Sequence, residues 1–224
     1  MEELRFPSLG ALACPTEPAG TELVGLHALT LYVVRHGECE HNVEHLVAGQ
    51  NDSPLTERGC RQARANGKRL AELARAPAAL DYFCSPLHRA ATTMELLRDE
   101  AGLPVRGYVA DRRLMELDCG ENTWRTWSDI VAAAAKDPLW HEDSWSYRHP
   151  GGESLRMLHA RVGQFLRTLR RDAVIVSHAG TVRMIRAHVL GLSKDETLIY
   201  HPPNAGILRL AGGSEKIFGD HDVP

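Results

Sequence analysis

Apolar residues along this chain fall into short blocks separated by helical stretches. "ALTLYVV" (28 to 34) is apolar and rich in β-formers, which predicts a buried strand. "SPLTERGCRQARANGKRLAELAR" opens on a Ser-Pro turn. Thr56 is placed to cap a helix whose apolar side returns at Ala63, Leu70, Leu73 and Ala74. "ALDYFCS" (79 to 85) predicts a second strand. A helix follows it, with Ser85 expected as its cap, Pro86 in its first turn and Gly102 past its end. "VRGYV" (105 to 109) predicts a third strand. A short helix is expected over 126 to 138, stopped by Pro138, and a long amphipathic one over 151 to 171. "DAVIVSH" (172 to 178) predicts a fourth strand, 180 to 192 a helix, and "NAGILRL" (204 to 210) a last strand before a polar tail.

Strand and helix thus alternate through the whole chain. That pattern predicts an α/β fold with a mostly parallel sheet and helices on both faces. In such sheets the ligand sits beyond the carboxyl ends of the strands, so the residues after each strand carry the functional information. The expected organisation is an N-terminal extension over 1 to 28, one catalytic domain over 29 to 212 with an inserted segment at 117 to 151, and a polar tail over 213 to 224.

Composition narrows the classes. The 224 residues are 43% hydrophobic and 25% charged, with a net charge of -3. That suits one soluble domain without a basic footprint for nucleic acid or an anionic membrane. No apolar run approaches a membrane span, and the acidic start lacks the regions of a signal peptide. Cys14 follows Ala-Leu-Ala but has no hydrophobic segment before it, so a lipoprotein site is not expected. Five cysteines without a C-x-x-C pair read as reduced thiols, and the expected location is cytoplasmic.

Three strand ends carry cations and imidazoles: Arg35-His36-Gly37-Glu38, Ser85-Pro86-Leu87-His88-Arg89 and Ser177-His178-Ala179-Gly180. In a parallel sheet Arg35, His36, Arg89 and His178 would converge on one edge, and the strand after Val105 leads on to Glu116. Two guanidiniums match phosphate oxygens, and helix N-termini near Ser85 and Gly180 would add N–H donors. No Walker loop and no G-x-G-x-x-G follows a strand, so a nucleotide cradle is not indicated. Neighbouring cations would keep His36 neutral and nucleophilic toward phosphorus. Glu116 would then protonate the leaving oxygen and activate water, and the scheme requires no metal or other cofactor. Gly37 is expected to leave room for the substrate.

At this point the chain resembles the histidine phosphatase superfamily, the phosphoglycerate mutase-like proteins. "VVRHGECEHN" is similar to its R-H-G-E-[ST]-x-x-N signature, and "GQNDSPLTERGCRQA" to its G-x-x-D-x-P-L-[ST]-x-x-G-x-x-Q-A. "CSPLHRAATTMELL", "LMELDCGE", "PGGES" and "VIVSHAGTVR" follow in the family's order, so the resemblance spans about 29 to 210. It implies a three-layer α/β/α sandwich. It also implies His36 as the phosphorylated nucleophile and Glu116 as the proton donor. Arg35, Arg89 and His178 would line the phosphate pocket, with Asn42 and the Ala179 amide adding donors; Gly49 and Glu38 are expected at the substrate side. Cys39 stands where the family usually has Ser or Thr, Ala179 where it has Gly, and Asn122 where a Trp is common, with Trp124 displaced by two.

Water or a second hydroxyl could accept the phosphoryl group. The resemblance implies that a cofactor-dependent mutase would carry a long insertion with paired arginines before G-G-E-S. Here Leu117 to Gly151 contains Arg125 and Arg148 but no such pair, which favours a phosphatase. The same segment holds all four tryptophans, Trp124, Trp127, Trp140 and Trp145. They either fasten a small helix to the body or wall the pocket for an apolar or ring-bearing ester. The other histidines are expected on the surface or in packing. His41 and His45 with Cys39 could suggest zinc, but no second cluster completes a site. Cys39 is expected to pack, with oxidation near the cations as the alternative. Glu38, Asp118 and Glu121 are lesser candidates for the acid. A relative without activity should have lost one of these groups, and all are present. The expected partner is a small phosphorylated metabolite, with a homodimer left open.

Overall fold

The computed structural model describes residues 25–219. Most of the expected N-terminal extension, including Cys14, and the last five residues lie outside the described residues.

In chain order the first strand β1 is Leu31–Arg35, followed by α1 (Glu40–Val43), β2 (Leu46–Val47) and α2 (Glu57–Leu73). Then come β3 (Asp81–Cys84), α3 (His88–Glu100), β4 (Val109–Ala110), β5 (Arg125–Thr126), α4 (Trp127–Ala134) and α5 (Pro138–Glu142). The chain closes with α6 (Leu155–Leu166), β6 (Ala173–Ser177), α7 (Ala179–Leu190), α8 (Lys194–Leu198), β7 (Ile207–Ala211) and β8 (Ser214–Phe218).

Six strands form one sheet in the order β4-β3-β6-β1-β7-β8. The first four in that order run parallel; β7 and β8 run antiparallel to their neighbours. The pleat divides the core between two faces. Leu31 and Val33 join Ile175, Leu208 and Leu210 against Leu158, Val162 and Phe165 of α6 and Val182 and Met184 of α7. Tyr32 and Val34, one residue out of phase, join Val174 and Val176 against Leu70 of α2 and Met94 and Leu97 of α3. A strand buried on both faces needs apolar residues at every position, which is why "LYVV" shows no alternation. The result is the expected mostly parallel sheet with helices on both sides. None of the described helices is long and apolar enough to cross a membrane.

Several local expectations are corrected. The polar tail is partly a strand: Ser214–Phe218 pairs with β7 through the turn at Gly212-Gly213 and forms the sheet edge. Its exposed face explains its polarity. The 105–109 strand shrinks to Val109–Ala110, because Gly107 takes a left-handed φ of 121°. Leu26, assigned to the extension, is buried in the core. The helix expected over 126 to 138 ends at Ala134, and Pro138 opens the next helix instead of stopping this one, with the Asp137 carboxylate capping it. Ser85 is not the cap of α3, which begins at His88 with Leu87 in the cap position.

Candidate functional site

β3, β6 and β1 are parallel neighbours, so their carboxyl ends lie side by side. Arg35 is level with Ser177, and Cys84 with Val176. The residues that follow these ends, His36, Ser85 to Arg89, and His178, are therefore brought together. The His36 and His178 rings stand 5.2 Å apart, centroid to centroid.

His36 is buried, and its backbone N–H donates to Ser177 O at 2.8 Å. Its Nδ1 lies 2.8 Å from Gly37 O. A carbonyl can only accept, so Nδ1 carries the proton and Nε2 keeps its lone pair. Burial, and after it the charges of Arg35 and Arg89, hold the imidazole well below its ordinary pKa. His178 is also fully buried and held neutral, by burial first and then by Arg89. Its Nε2 meets Ser85 Oγ at 2.7 Å, which is the role Ser85 has in place of capping.

Arg89 is 1% exposed and firmly seated. Nη2 donates to Gly49 O at 2.7 Å, and Nη1 to Asn51 O and to Asp52 Oδ1. The Asp52 carboxylate also accepts the N–H groups of His88 (2.6 Å) and Arg89 (3.2 Å). It is thus the cap of α3. The N-terminus of that helix is closed by Asp52 and is not offered to a ligand, contrary to expectation. Arg35 Nη1 donates to Pro202 O at 3.0 Å.

Among the described residues, four buried side-chain polar atoms lack a hydrogen-bond partner, and three belong to this cluster: Arg35 Nε, Arg89 Nε and His178 Nδ1. Buried polar groups are nearly always paired, so such a concentration marks a place built for a polar ligand. Two of the three atoms are guanidinium donors, which suits an anion.

Glu116 reaches the same region from the loop after β4. Its carboxylate accepts Leu117 N at 2.9 Å and Gly180 N at 3.1 Å. A Cβ on Gly180 would collide with that carboxylate, so glycine here is what admits the acid to the start of α7. The loop itself is held by Arg161, which donates to the carbonyls of Arg113, Met115 and Glu116 and pairs with Glu153. Glu153 and Arg161 were not expected at the site; the G-G-E-S segment is the signal that could have pointed to them.

Other candidates are placed elsewhere. Glu38 accepts from Thr56 Oγ1 (2.8 Å) and Arg58 Nη1 (3.0 Å), so its carboxylate ties the loop to α2. Asn42 Oδ1 accepts Cys39 N at 3.1 Å and closes the short helix α1. Gly37 serves packing: a Cβ on it would land on the Gly59 carbonyl, so the glycine lets the loop approach α2 and does not make room for a substrate. Cys39 is fully buried, its thiol pushed up to about 12 by burial, which leaves no thiolate to oxidise. His88 is exposed, Asp118 Oδ1 accepts Gly120 N, and Glu121 is exposed. His41 Nδ1 meets Ser53 Oγ at 3.1 Å, and no cluster suited to a metal occurs among the described residues. Trp145 is a core residue, Trp140 packs edge-on against Tyr147, and Trp124 is 46% exposed.

Comparison with known proteins agrees with this architecture. The model of the histidine phosphatase superfamily (branch 1) matches residues 31–218. A 2,3-bisphosphoglycerate-dependent phosphoglycerate mutase of Brucella melitensis is 32% identical over 181 residues, covering 75% of this chain and 85% of that protein. YhfR of Bacillus stearothermophilus is 26% identical with a TM-score of 0.67, covering 88% of this chain and 98% of that one. The alpha-ribazole phosphatase of Shigella flexneri, at 24% identity, shares the fold with a TM-score of 0.69 over 88% of this chain and 98% of that one. With a match over nearly the whole sheet, and with arginines and histidines gathered at its strand ends, this chain belongs to the histidine phosphatase superfamily.

Proposed function

We propose that the protein is a metal-independent phosphatase that hydrolyses a small phosphomonoester through a phosphohistidine at His36. The observation that carries this reading is the neutral His36, its Nε2 lone pair left available, among buried arginine and histidine donors that lack partners.

In the first step Nε2 attacks phosphorus and the P–O ester bond breaks. Glu116, in its protonated form, gives its proton to the departing oxygen. In the second step the Glu116 carboxylate takes a proton from water, the hydroxide attacks phosphorus, and the P–N bond breaks to restore His36. Arg35, Arg89 and His178 would stabilise the equatorial oxygens throughout.

Hydrolysis is favoured over a mutase reaction by the segment between Glu116 and Gly152. Its two arginines are engaged within the segment: Arg125 donates to Asn122 Oδ1 and Asp129 O, and Arg148 to Gly152 O. Neither is paired with a second arginine that would grip a carboxylate.

The test is hydrolysis of an aryl phosphate with EDTA present, alongside the His36→Ala variant. Turnover that persists in chelator and vanishes in the variant is expected. Loss in chelator, or survival in the variant, overturns the mechanism. Migration of the phosphoryl group within 3-phosphoglycerate faster than its release would establish the mutase instead.

A further inference from the structure

His41 is a buried histidine that the scheme above does not use. It lies on α1, and its ring centroid is 6.0 Å from that of His36. Its Nδ1 is taken by Ser53 Oγ, while Nε2 has no partner among the described residues. Ser53 Oγ also faces the His41 backbone N–H at 3.3 Å. A hydroxyl oxygen has two lone pairs, so it can accept both that N–H and a proton-bearing Nδ1. The seat therefore accommodates the ring whether neutral or protonated. The ring lies beside the nucleophile, and the scheme above leaves its second nitrogen unused.

We propose that His41 is a substrate-contacting residue whose Nε2 hydrogen-bonds the phosphoryl group and takes up one proton from solvent when a dianion enters. The proposal deepens the phosphatase reading and rests on it.

The electrostatics around His41 supply the reason. Burial, Arg89 and Arg35 hold its pKa down to about 4, and Asp52 is the one carboxylate that offsets them. The titratable groups that face it are those cations at the ends of β1 and α3, Asp52 in the loop before α2, and His36, itself held neutral. Burial is the larger cause of the neutral ring, and two negative charges arriving among Arg35 and Arg89 would both cancel the repulsion and reward a protonated ring directly. The ring would then bind a proton and place a charged N–H against a phosphoryl oxygen, a shorter and stronger bond than a neutral donor makes. The proton that enters with the substrate leaves again with the product phosphate, so the cycle balances.

The test uses sulfate, a dianion that does not titrate in the range studied. Isothermal titration in two buffers of different ionisation enthalpy counts the protons taken up per sulfate at about pH 5.5 and about pH 8. Wild type is compared with His41→Asn, which keeps a group for Ser53 but lacks Nε2, and with His41→Gln, which reaches the Nε2 position but cannot titrate. A charge-assisted bond is worth about tenfold in affinity, so wild type should bind sulfate about tenfold tighter than either variant at the lower pH. Proton uptake should fall in both variants. At the higher pH the Gln variant should approach wild type while Asn stays weaker, and KM for an aryl phosphate should rise more than kcat falls.

Equal affinity and equal uptake in all three proteins would overturn the proposal. If His41→Asn does not fold, the Gln variant alone decides it. Sulfate binding does not depend on turnover, so a wild-type protein that shows the His41 dependence without hydrolysing phosphate esters would refute the phosphatase reading and leave this contact standing.

Discussion

Arg161 offers the sharpest test of how the fold serves the acid. It makes five hydrogen bonds of 2.7–2.9 Å: two to the Glu153 carboxylate and three to the carbonyls of Arg113, Met115 and Glu116. Replacing it with Met keeps much of the volume and removes all five. Both partners of the ion pair are 16% exposed. Breaking a fully buried pair costs about 3–5 kcal/mol, so about 2 is reasonable with some access to water. Three carbonyls that lose their donor add about 2 kcal/mol more, since water reaches some of them. A total of about 4 kcal/mol lowers Tm by roughly 8–16 °C for a chain of this size. The functional effect should be selective. Arg161 fixes the loop that presents Glu116, and a shift of about 1 Å at a catalytic group can cost about a hundredfold in rate. A loose acid matters for an alkyl phosphate, whose leaving oxygen needs a proton, and little for a nitrophenyl ester. Steady-state rates on both substrates, with thermal melts, check this. A Tm within about 3 °C of wild type would refute the stability argument. Equal losses on good and poor leaving groups would refute the link to Glu116.

Two other predictions follow from the same geometry. His159 and His188 stack 3.8 Å apart; burial, then the neighbouring His188, brings His159 down to about 4, and burial lowers His188 too. Folded pKa values below the unfolded value mean that the unfolded chain binds more protons on acidification, so stability is full above about pH 6.5 and falls as pH drops toward about 4. Melts across that range should show this fall, and His159→Gln should flatten it; an unchanged slope would count against the stack as a source. Trp124 holds a φ of 65°, a left-handed conformation costly for a bulky side chain. Trp124→Gly should therefore raise stability by about 1 kcal/mol, and, if the indole meets the ester, should also raise KM for aryl phosphates; a less stable variant with unchanged KM would remove both halves of the argument.

The parts of the fold legible in the sequence are those governed by local pattern. The β1 and β6 runs are apolar up to their last residues, Arg35 and Ser177, because both faces are covered, and the Thr56 cap of α2 is present, its Oγ1 accepting Gly59 N at 3.0 Å. The convergence of His36, Arg89 and His178 was legible too, because it needs only parallel strands with a common direction. What could not be read was whatever depends on contacts distant in sequence. Asp52 closes α3 from 36 residues away, and no local signal shows that Ser85 then turns to His178. Gly37 looked like clearance for a ligand because its partner, the backbone at Gly59, is placed there by the packing of α2. The seat of His41 could not be read either, because spacing alone does not show that its Nδ1 meets Ser53.

These long-range contacts also explain how the pocket tolerates its own charge. Arg89 has one carboxylate, Asp52, and two carbonyls, Gly49 and Asn51, all from a single loop. Among the described residues Arg35 has only the Pro202 carbonyl as a hydrogen-bond partner, and its pKa is lowered by burial despite the favourable field of Glu116. Backbone carbonyls hold a guanidinium in place without neutralising it. If both arginines were paired with carboxylates, the folded chain would be more comfortable, but the pocket would hold little net positive charge and would attract no dianion. Seating the cations on carbonyls leaves that charge for the ligand, and, added to the larger effect of burial, it holds the nearby imidazoles in the neutral form that attack on phosphorus requires. The same arrangement that binds phosphate therefore prepares the nucleophile, and for that reason a substitution that neutralises Arg35 or Arg89 affects both.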